Sequence, residues 1–101
     1  MINLEQKHKK IVLDILNKYP YSFYAFGSRT KNKAKPLSDL DLCFTEDIPI
    51  RVLSQIATDF EESDLPFKID LLSWNDCSKE FKDIISTDLV CIKTNTVDRA
   101  F

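Results

Sequence analysis

The chain has a single glycine, Gly27, which separates two stretches that have the sequence character of strands. Residues 21–26 form a short aromatic run between Pro20 and Gly27, which predicts a strand that ends in a turn. A glycine in such a turn lets the backbone approach a ligand closely, and Ser28 favours the start of a short helix. Because helix N-termini attract phosphate groups, the turn predicts a seat for phosphate.

The second stretch, residues 39–44, alternates polar and apolar side chains. Period-two alternation places Asp39, Asp41 and Cys43 on one face of a strand and three apolar side chains on the other. Two carboxylates about 7 Å apart raise the pKa of at least one of them and oppose folding unless a cation lies between them. Mg²⁺ is usually held by one or two carboxylates together with substrate phosphates. The turn and this strand together predict a site for a metal ion and a nucleotide.

A third acidic side chain interrupts an apolar strand later in the chain. Residues 67–72 predict a strand in which Asp70 stands among apolar neighbours, where propensity and burial both disfavour a carboxylate. Two interpretations remain open from the residues alone. Asp70 either joins Asp39 and Asp41 or faces water at the edge of a sheet.

The rest of the chain alternates helices and strands. Apolar spacing predicts a closing strand over residues 89–93 and three helices, over residues 3–19, 49–65 and 73–85. Ser73 is the predicted cap of the last helix, and Ile50 begins the predicted buried stripe of the second. This order predicts an α/β fold in which a sheet of three or four strands packs against helices, with residues 1–101 forming one domain.

Composition limits the compartment and the partners. Cys43, Cys77 and Cys91 are widely spaced without a Cys-x-x-Cys pair, so we expect neither a disulfide framework nor a zinc site. The net charge of -2 gives no overall attraction to nucleic acid or to a membrane surface. Neither an apolar signal segment nor a run of 18 apolar residues occurs. We therefore expect a cytoplasmic protein that binds neither nucleic acid nor membrane directly.

Three lysines and the histidine give weaker indications of function than the acidic residues do. Lys31, Lys33 and Lys35 follow the glycine turn, and they either contact phosphate or a partner or face solvent. His8 is the only histidine and lies among lysines in the first predicted helix. A lone histidine in a basic helix favours a solvated surface position over a catalytic one.

These residues also carry a resemblance to a known family. The pattern is Gly27-Ser28, then nine residues, then Ser38-Asp39-Leu40-Asp41-Leu42. It resembles the signature of the DNA-polymerase-beta-like nucleotidyltransferases, and the chain is similar to their minimal nucleotidyltransferase group (MNT, or MntA-type antitoxins). Thr30 and Asn32 depart from the group, which usually has alanine and glycine at these two positions.

The resemblance implies a single-domain nucleotidyltransferase palm with a mixed sheet. It implies an Mg²⁺-dependent adenylyltransferase that moves AMP from ATP to a hydroxyl group, with a tyrosine of an all-helical HEPN-type toxin as acceptor and this chain as the antitoxin. It also implies that Asp39, Asp41 and Asp70 are catalytic and hold two Mg²⁺ ions. The nucleotide contacts that it implies are Gly27, Ser28, Arg29 and Ser38.

Three functions remain open on the sequence. The first is an active nucleotidyltransferase. The second is a protein of the same fold with a weak or inactive site that neutralises a partner by binding alone, and the departures at Thr30 and Asn32 favour it. The third is an α/β domain whose acidic strand faces have no catalytic role. Arg29 likewise either contacts the nucleotide or faces solvent.

Overall fold

The computed structural model describes residues 4–30 and 38–94, which form one four-stranded sheet with helices packed on it. The main elements in chain order are α1 (Gln6–Leu16), β1 (Phe23–Phe26), β2 (Leu40–Phe44), α2 (Ile50–Glu61), β3 (Ile69–Ser73), α3 (Lys79–Ile85) and β4 (Val90–Lys93). Three one-turn 3-10 helices lie at Ser28–Thr30, Trp74–Asp76 and Ser86–Asp88.

The sheet has the strand order β3-β2-β1-β4. Strands β2 and β3 run parallel, whereas β1 is antiparallel to both of its neighbours, β2 and β4. The sheet is therefore mixed, and the prediction of an α/β fold with three or four strands is confirmed. The strands on either side of the glycine turn, β1 and β2, occupy the centre of the sheet, where pairing on both sides holds them in place.

The larger core lies between one face of the sheet and helices α1 and α2. Its most deeply buried side chains are Val12, Leu16, Phe23, Ala25, Leu40, Leu42 and Ile56. Burial of Leu40 and Leu42 fixes the register of β2, because a slip of one residue would turn the carboxylates into this core. Each buried leucine contributes about 1.5 to 3 kcal/mol. The same burial therefore directs Asp41 to the opposite face.

Helix α3 packs on the opposite face of the sheet. The ring of Phe81 in α3 packs edge-on against Phe26 of β1, with 5.9 Å between the ring centroids. Cys43 and Ile85 complete this small buried cluster. Asp41 and Asp70 lie on this same face, and Phe26 is the register partner of Asp41. Helix α3 therefore packs next to the carboxylates, while Asp70 stays exposed and Asp41 stays partly exposed.

The start of the last helix differs from the prediction. Ser73 does not cap it, because this residue pairs with Phe44 as the last residue of β3, and a one-turn 3-10 helix follows. Helix α3 begins at Lys79, and the hydroxyl of Ser78 caps it by accepting a hydrogen bond of 3.2 Å from the Phe81 N–H. Either serine has a side chain that could cap a helix. Ser78 is the cap because Ser73 is still paired within the sheet.

The first two helices are shorter than the sequence predicts. Helix α1 begins at Gln6, after Glu5, and ends at Leu16. In α2 the buried residues are Ile56 and Phe60, and Val52 and Leu53 are partly buried against the core. Ile50 is 82% exposed, so it does not belong to the buried stripe that the sequence predicts. Within residues 4–30 and 38–94, no helix is long and apolar enough to cross a membrane.

Candidate functional site

The glycine turn lies against the carboxylate of Asp41. Gly27 directly follows β1 and has a φ of +88°, in the left-handed region that L-residues rarely adopt. A Cβ atom at this position would lie 2.6 Å from Oδ2 of Asp41, closer than non-bonded atoms can approach. The backbone conformation therefore favours glycine, and a side chain at this position would force the Asp41 carboxylate to move.

The turn is stabilised by Thr30. Its backbone N–H and its hydroxyl both donate hydrogen bonds to the carbonyl of Gly27, at 3.1 and 2.8 Å. The hydroxyl that distinguishes Thr30 from the usual alanine thus supports the turn. Asn32 and the three lysines Lys31, Lys33 and Lys35 lie outside the described residues, so their predicted roles stay predictions.

The three predicted acidic residues come together where β2 and β3 begin. Asp41 and Asp70 are register partners in the parallel pair, and Asp39 directly precedes β2. Asp41 is half-buried, whereas Asp39 and Asp70 are exposed. Asp70 does lie on an edge strand, yet it stands beside Asp41, as the first of the two interpretations requires.

The neighbouring acids change the pKa of Asp41. Burial raises this pKa to about 6, with further contributions from the charges of Asp70 and Asp39 and from a hydrogen bond to Asp70. Like charges this close disfavour ionisation of at least one member of the pair. A divalent cation beside the pair would remove that repulsion and favour the ionised forms.

This arrangement predicts that stability falls as pH rises from about 4 to about 6. Asp41 titrates near 3.8 when unfolded and near 6 when folded, so the folded state binds the proton more tightly and loses free energy of unfolding as the proton leaves. Because Asp41 is partly exposed, we expect a loss of about 1 to 2 kcal/mol. Urea unfolding of the wild type and of Asp41→Asn across this pH range measures it. The same pH dependence in both proteins would assign the effect to other groups.

The donor set suits a hard divalent cation. Within the described part of the chain, no three Asp, Glu, His or Cys side chains are arranged as a complete metal site. Mg²⁺ does not need one, because it takes most of its ligands from water and substrate phosphates and only one or two from carboxylates. Oxygen donors also favour Mg²⁺ over zinc, which prefers nitrogen and sulfur. Asp41 and Asp70, with Asp39 nearby, therefore fit an ion that binds together with a nucleotide.

Arg29 connects the glycine turn to the start of β2. Its side chain is 5% exposed, so the solvent-facing alternative is wrong. Nε and Nη2 donate hydrogen bonds of 3.0 and 2.8 Å to the carbonyl of Ser38, the residue before Asp39. Burial lowers the pKa of Arg29, and the charge of Asp39 opposes this shift. Arg29 and Ser38 thus lie beside the acidic residues, and their contact with a nucleotide stays a prediction.

Phe67 is a residue of this region that the sequence analysis did not single out. Its ring centroid lies 4.2 Å from the guanidinium carbon of Arg29 and 5.5 Å from the ring of His8, which meets it edge-on. The His8 side chain is 14% exposed, so its predicted solvated position is wrong. In the sequence, Phe67 looks like an ordinary apolar residue of a strand. Its contact with the Arg29 guanidinium arises only from the tertiary fold.

A pocket of about 690 Å³ opens beside Asp39 and Asp70. The end of α2 and the segment before β3 form its walls through Ala57, Phe60, Glu61, Leu65, Pro66, Phe67, Lys68 and Ile69. The pocket lies on the β3 side of the carboxylates, whereas the glycine turn lies on the β1 side. Of the three acidic residues, Asp39 and Asp70 border this pocket.

Comparison with known sequences gives two matches. The family model for polymerase beta nucleotidyltransferases matches residues 6–96. A protein from Haemophilus influenzae named "Probable protein adenylyltransferase MntA" is 38% identical over 104 aligned residues, which cover 97% of this chain and 91% of the relative.

Comparison with solved structures gives matches of fold. A toxin-antitoxin complex with AMP-PNP has a chain that superposes with a TM-score of 0.66 at 18% identity, covering 89% of this chain and 76% of the other. A tri-AMPylated Shewanella oneidensis HEPN toxin in complex with its MNT antitoxin gives a TM-score of 0.60 at 16% identity, covering 95% of this chain and 77% of the matched one. At these identities the likeness establishes the fold.

Proposed function

Since the chain belongs to the polymerase beta nucleotidyltransferases, in their MntA-type minimal group, we propose that it transfers AMP from ATP to a hydroxyl group of a protein partner. The observation that carries the proposal is the pairing of Asp41 with Asp70, together with the close approach of Gly27 to the Asp41 carboxylate. The name of the H. influenzae relative supports AMP as the transferred group. The fold shared with an MNT antitoxin supports an antitoxin role.

Each carboxylate has a proposed role. Asp39 and Asp41 would hold two Mg²⁺ ions, and Asp70 would help to hold one of them. When bound, the ions lower the pKa of the attacking hydroxyl and neutralise charge on the leaving group. The oxygen of the acceptor forms a bond to the α-phosphorus, the bond from that phosphorus to the pyrophosphate oxygen breaks, and Asp70 accepts the acceptor's proton.

The triphosphate is proposed to lie on the glycine-turn side. Gly27 leaves the backbone open to close approach, and the backbone N–H groups of Gly27 and Ser28, with the Ser28 hydroxyl, contact the β- and γ-phosphates. The Arg29 guanidinium already donates two hydrogen bonds to the Ser38 carbonyl. A direct contact of either residue with the nucleotide would compete with these bonds.

The acceptor is proposed to be a tyrosine hydroxyl of an all-helical HEPN-type toxin. In-line transfer places the attacking and leaving oxygens on opposite sides of the phosphorus. The pocket beside Asp70 lies on the side away from the glycine turn and has room for a side chain. This arrangement supports acceptor entry through the pocket while pyrophosphate leaves from the turn.

We also propose that residues 1–101 form a single nucleotidyltransferase domain that works in the cytoplasm. The family match over residues 6–96 supports one domain. Cys43, Cys77 and Cys91 are free thiols, which suits a reducing compartment.

Incubation with ATP, Mg²⁺ and the helical partner should add one or more AMP groups to the partner. Intact-mass spectrometry measures the gain, and ATP labelled at the α-phosphate should transfer its label whereas ATP labelled at the γ-phosphate should not. Asp41→Asn should give no gain. A stable complex without any gain in mass would contradict transfer and support neutralisation by binding alone. A gain on an added small-molecule alcohol such as an aminoglycoside, with none on the partner, would contradict the protein acceptor.

A further inference from the structure

A buried cation and two aromatic rings join three parts of the site. Arg29 lies directly after the glycine turn, Phe67 lies just before β3, and His8 belongs to α1. We name these three residues the Arg29 cluster. The Phe67 ring contacts both the guanidinium and the imidazole, and the guanidinium donates two hydrogen bonds to the carbonyl of Ser38. The cluster thus holds the residue that precedes Asp39.

The starts of β2 and β3 are also joined directly. The Leu40 N–H donates a hydrogen bond of 2.9 Å to the carbonyl of Lys68. Asp39 therefore lies between two fixed points, the Ser38 carbonyl held by Arg29 and the Leu40 amide held by β3. Phe67 precedes Lys68 and supports the guanidinium from the β3 side. These contacts fix the backbone on both sides of Asp39.

Burying a guanidinium costs free energy, because the charge loses its hydration. Apolar residues of similar volume often replace buried charges with no loss of stability, so packing alone does not require Arg29. A guanidinium differs from an apolar side chain in its rigid fork of donors and in its ability to stack on an aromatic ring. Both properties are used here, since two nitrogens bind one carbonyl while the plane contacts Phe67. Arg29 thus contributes orientation.

We propose that Arg29, supported by Phe67, is a positioning residue that fixes the Ser38 carbonyl and thereby holds Asp39 at a set distance from the glycine turn. The inference rests on the proposed nucleotidyl transfer and assigns separate roles to two parts of the site. The glycine turn binds the triphosphate, and the Arg29 cluster aligns the carboxylates with it. Loss of the cluster should therefore lower the rate of transfer and leave the affinity for ATP unchanged.

Two substitutions test this inference in the full chain. Phe67→Leu removes the ring contacts, and Arg29→Lys keeps the charge but loses the fork. Both should lower kcat roughly 10- to 100-fold, because misplacement of a catalytic group by about 1 Å has an effect of that order. The Kd for ATP with Mg²⁺, measured by calorimetry, should stay at the wild-type value. Phe67→Tyr keeps the ring contacts and should therefore lose less of its kcat than Phe67→Leu does.

The matched control is Phe44→Leu, at the far end of β2. Phe44 is also buried and also makes an edge-on contact, with Phe23 at 6.5 Å between centroids. This variant should lose stability as Phe67→Leu does but keep its kcat. An equal loss of kcat in Phe67→Leu and Phe44→Leu would mean that the Arg29 cluster contributes only core packing. A raised Kd for ATP with unchanged kcat in Arg29→Lys would make Arg29 a direct phosphate ligand and overturn the inference.

A second measurement does not depend on activity. In the metal-free protein, hydrogen exchange of the Leu40 amide should be faster in Phe67→Leu and Arg29→Lys than in Phe44→Leu, relative to amides of the central strand β1. Unchanged protection of Leu40 would contradict the positioning role. If the wild type transfers no AMP, the proposed function fails, and the exchange comparison still decides whether the cluster holds the start of β2.

Discussion

Asp41→Asn should greatly slow AMP transfer and at the same time stabilise the metal-free protein at neutral pH. Above its raised pKa of about 6, Asp41 carries a partly buried charge beside Asp70 and Asp39. Asparagine removes the cost of burying that charge and also the repulsion, at nearly constant volume. We expect a gain of about 1 to 2 kcal/mol, or roughly 5 to 10 °C in Tm for a domain of this size. Transfer should fall by about a thousandfold, the order observed when a preorganised electrostatic group is lost.

Thermal unfolding with and without Mg²⁺ separates a metal ligand from a structural residue. Mg²⁺ with ATP should raise the Tm of the wild type, because a ligand that binds only the folded state stabilises it, and should raise that of Asp41→Asn much less. Asp83→Asn on helix α3 is the control, since it removes an exposed carboxylate outside the site. It should change neither transfer nor the response to Mg²⁺. If Asp41→Asn unfolds and the wild type does not respond to Mg²⁺, Asp41 is a structural residue.

The acidic residues and the glycine could be predicted from the sequence because their signals are local. The alternation around Asp41 assigns the carboxylates to one strand face, and a single glycine between two strands marks the turn. Neither signal states which strands are neighbours. The pairing of Asp41 with Asp70 requires β2 and β3 to be parallel and in register, and periodicity within one strand contains no such information.

The Arg29 cluster could not be predicted because its contacts join distant parts of the chain. His8, Arg29 and Phe67 come from a helix, a turn and the approach to a strand, and each has an ordinary interpretation where it stands. A lone histidine among lysines favours a solvent-exposed position. An arginine at a helix start can equally well face solvent or contact a ligand. Tertiary packing contradicts the expectation for His8 and excludes the solvent-facing alternative for Arg29, because the Phe67 ring contacts both side chains.

Gly27→Ala should destabilise the protein and weaken nucleotide binding, although it adds a single methyl group. At a φ of +88° a side chain costs about 1 to 2 kcal/mol in backbone strain. The new Cβ would also lie 2.6 Å from Oδ2 of Asp41, so the carboxylate must move. We expect a total loss of about 2 to 4 kcal/mol in urea unfolding and a larger loss for the β-branched Gly27→Val. The Kd for ATP, measured by calorimetry, should rise because the backbone no longer approaches the phosphates closely.

The same substitution in an Asp41→Ala background separates the two causes. Without the carboxylate there is no oxygen for the new Cβ to displace, while the backbone strain is unchanged. Gly27→Ala should then cost only about 1 to 2 kcal/mol, and the difference between backgrounds is the coupling between turn and carboxylate. An equal cost in both backgrounds would mean that backbone conformation alone requires glycine. A smaller cost without Asp41 would mean that the turn and the carboxylate constrain each other. A side chain at position 27 would then disturb both the proposed phosphate-binding turn and the proposed metal ligand.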